Sequence, residues 1–375
     1  MRRCELAILP GDGIGPEVTA ASLEVLGVLA GELARGGLEL AWTCHPVGGA
    51  ALAQGLPPLP EETLRAALAA DGVLLGAVGA PQWDHLPPAE RPESALIALR
   101  EAMGVYANLR PASGRGALGG RSPLRGEVAG LDLLLVRELT GGLYYGRPRG
   151  REGVRPGRRA VDTMAYGEHE IRRVAHVAFR AARRRRRRLT SVDKRNVLET
   201  SALWREVVDD VHEEYPDVRL EHQLVDSMAL RLVASPASFD VVLAENMFGD
   251  ILSDEIGGIV GSLGVLPSAS VGDGRGLYEP VHGSAPDIAG QDAANPLGAI
   301  LSLALCCELS LDRPDLARRV EEAVEGALAL GLRTADIATG RRGERLCGTR
   351  EMAGAVAALL ADRLGSGAAL GEIYA

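Results

Sequence analysis

Two aspartates four residues apart, Asp250 and Asp254 in E-N-M-F-G-D-I-L-S-D (245–254), fall on one face of a helix. Carboxylates so placed repel each other unless a cation lies between them, and hard oxygen ligands suit Mg2+ or Mn2+. The start of a helix would welcome the same pair without a metal, so both readings stand on these two residues alone. Arginines gather in two other segments: Arg91, Arg100 and Arg110 within 91–110, and Arg137 in R-E-L-T-G-G-L-Y-Y-G (137–146). A guanidinium binds a carboxylate through paired hydrogen bonds. Converging arginines would hold a dicarboxylate; ordinary surface charge is the plain alternative. The third candidate is Lys194, the only lysine in a chain with 41 Lys and Arg residues. A lysine can act as a base once its pKa is lowered, whereas arginine stays protonated. Either a titratable amine is needed at 194 or one lysine has survived by chance.

The apolar pattern outlines the elements that must carry these residues. C-E-L-A-I-L (4–9) reads as a buried strand, followed by the Gly-rich turn P-G-D-G-I-G-P-E-V with Pro16 at a helix start. Residues 20–33 continue at helical spacing, and 73–78 form another short apolar strand. A third strand, 131–136, ends at Arg137-Glu138, and 241–244 is a strand before the helix that carries the two aspartates. The segment 141–160, rich in Gly, Arg and Pro, has little core character and reads as an extended hairpin or arm. Residues 168–188 read as a helix ending in six arginines, Arg183 to Arg188, a solvated end that suits the helix dipole. A Gly/Pro-rich stretch covers about 257–291, and helices fill most of the remainder. Strand, helix, strand in this order is an α/β, doubly wound pattern. At 375 residues the chain is too long for one ordinary core, so two domains are expected.

Composition narrows the function classes. The formal charge of −9 argues against general affinity for nucleic acid or anionic membrane. No run of about 18 apolar residues is present, so no membrane span is expected. The five cysteines are odd in number and show no C-x-x-C or zinc spacing, and no signal peptide is evident. A reducing, cytoplasmic setting fits best.

Taken in order, the segments resemble a known family from the first strand to about residue 305. They are G-D-G-I-G-P-E (11–17), R-P-E…L-R (91–100), A-N-L-R (107–110), R-E-L-T-G-G-L-Y-Y-G (137–146) and S-V-D-K-R-N-V-L-E (191–199). H-Q-L-V-D-S-M-A (222–229), E-N-M-F-G-D-I-L-S-D (245–254), E-P-V-H-G-S-A-P-D-I-A-G (279–290) and A-N-P (294–296) follow. The chain is similar to the β-decarboxylating dehydrogenases, which include isopropylmalate, isocitrate, homoisocitrate and tartrate dehydrogenases.

The resemblance implies a fold and a set of roles. The fold would be the two-domain isocitrate/isopropylmalate dehydrogenase-like one. The glycines at 11, 13 and 15 look like a Rossmann turn, but this family uses a different cofactor loop. One domain would comprise about 1–105 with 263–375 and bind the cofactor; the other would be 106–262, with a dimer arm at about 138–166. Arg100, Arg110 and Arg137 match arginines that hold the malate carboxylates. Asp226, Asp250 and Asp254 match the ligands of Mg2+ or Mn2+, with Asp226 also close to substrate. Lys194 and Tyr144 match the catalytic base and acid. His282, Gly283, Ser284, Ala285, Asp287, Ile288 and Asn295, with Ile14, fall in the cofactor-binding segments, and Asp287 points to NAD rather than its 2′-phosphorylated form. In the family, residues matching Lys194 and Asp226 reach into the neighbouring subunit, which implies a homodimer with shared active sites. Leu96 and Ile97, one turn before Arg100, look like a patch for an isopropyl group, with helix core as the bland reading. Glu93 would repel a third carboxylate. The expected reaction is therefore NAD-dependent oxidative decarboxylation of 3-isopropylmalate in leucine synthesis, with tartrate, homoisocitrate or another alkylmalate as the alternative substrate. A nucleic-acid binder or regulatory subunit built on a decayed enzyme would have lost the base, acid, metal and arginine positions, and all are intact. The basic arm at 147–160, the long arginine run and Cys306-Cys307 depart from the usual family pattern.

Overall fold

The computed structural model describes residues 2–114, 121–124, 128 and 130–365. The chain begins with β1 (Arg2–Gly11), α1 (Gly15–Arg35), β2 (Leu38–Cys44), α2 (Gly49–Leu52), α3 (Glu61–Ala69), β3 (Gly72–Ala77) and α4 (Pro92–Met103). Next come β4 (Ala107–Ser113), β5 (Asp132–Glu138), β6 (Gly150–Glu152), β7 (Arg159–Val161), α5 (Glu168–Arg184), β8 (Arg188–Asp193) and α6 (Glu199–His212). Then follow β9 (Arg219–Leu224), α7 (Val225–Ala234), β10 (Val241–Ala244), α8 (Asn246–Val260), β11 (Pro267–Val271) and β12 (Gly276–Pro280). The chain continues through α9 (Leu297–Leu309), α10 (Pro314–Ala329), β13 (Leu332–Arg333), β14 (Arg345–Leu346) and α11 (Thr349–Arg363). These elements divide into two units. The first takes the described residues up to Val105 and from Gly261 onward, with Arg121; the second takes the other described residues from Tyr106 to Val260.

In the first unit the strands run in the order β2-β1-β3-β12-β11. β1 is parallel to β2 and β3, β3 is parallel to β12, and only β11 is antiparallel to its neighbour β12. A strand from late in the sequence, β12, thus pairs directly with β3, which pairs with β1. β3, G-V-L-L-G-A, is buried at every position, the continuous apolar run of a strand covered on both faces. α1 starts at Gly15-Pro16 and buries Val18, Ala21, Val25, Leu26, Leu29 and Leu33 along one stripe.

In the second unit the order is β4-β5-β10-β8-β9. β4 is antiparallel to β5, and β5, β10, β8 and β9 are parallel. α5 buries Ile171, Val174, Ala175, Ala178, Phe179 and Ala182 and leaves its arginine face outside. β6 and β7 form an exposed antiparallel hairpin, in the segment where the sequence suggests an arm.

Within the Gly/Pro-rich stretch 257–291, α8 runs on to Val260 and β11 and β12 occupy the middle, with Pro267 and Pro280 confined to strand ends. One expectation needs correction: the arginine run is not wholly a solvated helix end. α5 stops at Arg184 and Arg188 already opens β8. Arg185 binds Asp240 Oδ1 at 2.9 Å and Asp132 Oδ1 at 2.6 Å, and Arg186 donates to the carbonyls of Asp132 and Phe239. The reason is local: the chain reverses at Arg187 (φ +57°), where the start of β5 and the residue before β10 present these acceptors. Among the described residues no helix is long and apolar enough to cross a membrane. None of the five cysteines is in a disulfide.

Candidate active site

The second unit brings Arg110, Arg137, Tyr144, Asp250 and Asp254 together. β4 and β5 pair antiparallel with Asn108 opposite Arg137. Arg137 has only 5% of its side chain exposed. Its Nε and Nη2 donate to Asn246 Oδ1 at 3.0 and 2.8 Å, and its Nη1 donates to Asp250 Oδ1. The approach is close because residue 249 is glycine: a Cβ there would lie 2.7 Å from Arg137 Cγ. Arg110 donates from Nε to Asn108 Oδ1 at 2.6 Å and from Nη1 to Ser253 Oγ. Its Nη2 lies 3.7 Å from Asp250, and its Nη1 lies 4.0 Å from Asp254. Tyr144 ends a short turn, Gly142–Tyr144, and its hydroxyl donates to Asp250 Oδ2 at 3.0 Å. Partial burial, and then the Asp250 carboxylate beside it, raise the Tyr144 phenol above its ordinary pKa. It stays a proton donor at neutral pH.

Lys194, just after β8, and Asp226, in the first turn of α7, pair with each other. That contact lowers the Asp226 pKa. Among the described residues no three His, Cys, Asp or Glu side chains are grouped to hold a metal, Asp226 with Asp250 and Asp254 included. Those two offer hard oxygens on consecutive helical turns, a donor chemistry that fits Mg2+ or Mn2+ once a third carboxylate joins them.

The first unit holds the remaining candidates. After β1 the chain turns through Gly11 and Gly13, both with positive φ. A Cβ at 13 would lie 1.9 Å from the Ser284 carbonyl oxygen, and Ile14 N donates to that same oxygen at 2.8 Å. The loop before Ile14 is thus pinned to the 282–290 segment. Asp12, buried, accepts from the backbone of Gly49, Ala50 and Gly79 and anchors the turn. Glu93 Oε1 and Ser284 Oγ both face Gly79, where a Cβ would lie 3.2 and 3.3 Å from them. His282 has a buried Nε2 with no hydrogen-bond partner, and burial lowers its pKa, leaving a neutral imidazole. Ile288 and Ala285 pack with Ile14 and Val18, while Gly283 and Asp287 are exposed. The unpartnered imidazole nitrogen of His282, on a segment pinned to this glycine turn, fits a bound dinucleotide. Asn295 is different: its Nδ2 donates to Asp336 and its Oδ1 accepts from Leu297 N, so it serves the start of α9. Arg100 donates to Glu279 at 2.6 Å, and its buried Nε has no partner. Leu96 is partly buried against the core cluster around Leu99, whereas Ile97 is 51% exposed.

Residues 5–356 match the family model described as "Isocitrate/isopropylmalate dehydrogenase". The chain belongs to that family. A 3-isopropylmalate dehydrogenase from Hahella chejuensis is 53% identical over 362 residues, covering 96% of this chain and 99% of that one. The 3-isopropylmalate dehydrogenase from Aquifex aeolicus is 51% identical over 338 residues, 90% of this chain and 92% of its own. Among solved structures, isocitrate dehydrogenase from Methylococcus capsulatus superimposes with a TM-score of 0.83 at 33% identity, covering 95% of this chain and 99% of that one. A β-decarboxylating dehydrogenase from Thermococcus kodakarensis gives 0.77 at 34% identity, covering 100% and 99%. Within this dehydrogenase family fold, the supports of the arginines are what the sequence reading missed: Asn108, Asn246, Ser253 and Glu279. Asn108 carried a signal, since it lies two residues before Arg110 on the same strand face. Asn246 and Glu279 did not, being 109 and 179 positions from their partners.

Proposed function

We propose that the chain oxidises the C2 hydroxyl of 3-isopropylmalate with NAD+ and releases CO2, the step that yields a branched 2-oxo acid for leucine synthesis. The observation that carries this reading is the grouping of Arg110 and Arg137 against Asp250 and Tyr144. Two guanidiniums already fixed by Asn108 and Asn246 are ready to take substrate carboxylates. Arg100, with its unpartnered Nε, is assigned a further contact of the same kind. A divalent cation held by Asp250, Asp254 and the Asp226 of a second copy would supply Lewis acidity, and NAD+ would accept the hydride. Lys194 takes the hydroxyl proton. Tyr144, kept protonated by burial and Asp250, returns a proton to C3 after CO2 leaves. Exposed Ile97, with Glu93 on the first turn of the same helix, supports an apolar third substituent over a third carboxylate. Exposed Asp287 supports NAD+, since a carboxylate accepts from a ribose hydroxyl and repels a phosphate.

The site is assigned to a two-fold dimer in which each copy lends Lys194 and Asp226 to the other. Two features support this. Lys194 and Asp226 meet each other and not Asp250 with Asp254. The elements bearing these groups also carry exposed apolar side chains, Leu230 and Val233 on α7 and Ile251 on α8, as a surface covered by a second copy would. The reading is tested by NADH formation with 3-isopropylmalate, isocitrate, homoisocitrate, malate and tartrate, each with Mg2+ and with Mn2+. 3-Isopropylmalate should give the highest kcat/KM; a preference for isocitrate or tartrate would overturn the substrate assignment.

A further inference from the structure

Behind Arg137 lies a buried cluster that the reaction above does not use. Glu138 is 0% exposed, Glu245 3% and Tyr166 9%. Tyr166 Oη lies 3.1 Å from Glu138 Oε2 and 3.2 Å from Glu245 Oε2, and it accepts a hydrogen bond from Asn246 N at 3.0 Å. We infer that this set holds two protons at neutral pH, one on Tyr166 and one on Glu245, and that it positions Arg137 and the Tyr144 turn.

The proton count follows from the contacts. A phenol has one hydrogen to give. With both carboxylates ionised, one of the two oxygen–oxygen contacts would set lone pair against lone pair in a buried place, which is costly. A second proton removes that conflict: one carboxyl donates to Tyr166, and Tyr166 donates to the other. The donors decide which is which. Glu138 accepts three further hydrogen bonds, from Thr140 N, Thr140 Oγ1 and Gly141 N, each at 2.8 Å. Glu245 accepts two, from Phe248 N at 2.8 Å and Met247 N at 3.0 Å. The anion is better solvated at Glu138, so the proton belongs to Glu245. Burial raises the pKa of both carboxyls, and Glu138 adds to the rise at Glu245.

The same bonds explain the positioning. Glu138 clamps residues 140–141, which lead into the turn bearing Tyr144. Glu245 clamps the first turn of α8, which bears Asp250 and Asp254. Tyr166 ties the two together and fills the space beside Gly141 and Gly142, where a Cβ would lie 2.5 and 2.6 Å from it. Asn246, fixed through its own N–H to Tyr166 and its Nδ2 to the Gly141 carbonyl, then presents Oδ1 to Arg137. The charged and titratable neighbours are Arg137 on β5, Arg173 on α5 through Thr140, Tyr144 on its turn and Asp250 on α8.

Infrared spectroscopy of the wild-type protein at neutral pH tests the proton directly. A buried protonated-carboxyl band should be present, should vanish in Glu245→Gln, and should shift upward in Tyr166→Phe, which removes its acceptor. Melting adds a signed test. A carboxyl whose folded pKa is raised contributes its full stability below its unfolded pKa and loses it as pH rises through the folded value. The amide variant has no such proton, so the Tm of Glu245→Gln relative to wild type should rise by at least about 2 °C between about pH 5 and about pH 8. These readouts are independent of the substrate assigned above. A third rests on it: kcat/KM should fall at least about tenfold further in Glu138→Gln than in Glu245→Gln, because only the former removes the anion. No band in the wild type, a band untouched by either Glu245→Gln or Tyr166→Phe, a flat Tm difference, or the reverse activity order would each overturn the inference.

Discussion

Replacing Asn246 by alanine removes the acceptor that holds Arg137, together with the Nδ2 bond to the Gly141 carbonyl. Asn246 is 1% exposed, and its Oδ1 takes two hydrogen bonds from Arg137, at 3.0 and 2.8 Å. Arg137 is itself nearly inaccessible, so water cannot easily replace that acceptor. A hydrogen bond to a charged group contributes about 1.5–3 kcal/mol. At about 1.4 kcal/mol per factor of ten, Asn246→Ala should lower kcat/KM for the malate by roughly 10- to 150-fold. Because Arg137 is assigned to a carboxylate present throughout the reaction, much of the loss should appear as a raised substrate KM. The KM for NAD+ should hardly move. The assay is steady-state NADH formation, with circular dichroism to confirm folding. A folded variant within about twofold of wild type would show that Asn246 does not orient Arg137. An equal rise in both KM values would point instead to general loosening.

Three further outcomes are expected. Lys194→Met and Arg137→Ala should each be nearly inactive alone, yet unfolded together and refolded they should recover roughly a quarter of wild-type activity, since half the dimers pair one intact site with one doubly defective site; background activity would refute shared sites. Asp287→Lys should narrow the preference for NAD+ over NADP+ in kcat/KM, and an unchanged ratio would remove Asp287 from cofactor choice. Gly13→Ala places a Cβ against the Ser284 carbonyl at a φ of +58°, so the KM for NAD+ should rise at least about tenfold while the malate KM changes less; the opposite pattern would refute a cofactor role for this turn.

The chemistry was legible in the sequence because it is carried by short segments. Asp250 and Asp254 sit on one helix, and Arg137 and Tyr144 fall within one ten-residue motif. Strands such as β3 and β10 announced themselves as apolar runs. The pairings were less visible. β12 joins β3 across some two hundred positions, and its five residues G-L-Y-E-P carry weak strand character. Arg185 and Arg186 looked like surface charge because nothing nearby in sequence reveals Asp132 and Asp240. Asn295 falls in a cofactor-binding motif, and the motif does not reveal that its side chain also bonds Asp336 and the start of α9. In each case the missing information is a partner that only the tertiary fold supplies.

The lone lysine has a practical corollary. Lys194 lies just after β8 with 27% of its side chain exposed, and no other residue of the sequence carries an ε-amine. A lysine-specific endoproteinase therefore has a single peptide bond to cut, between Lys194 and Arg195, giving two fragments from the unfolded chain. Amine-directed labels likewise have one side chain to modify. Ligand protection of that one position can be read as a single band or a single mass, with no background from other lysines.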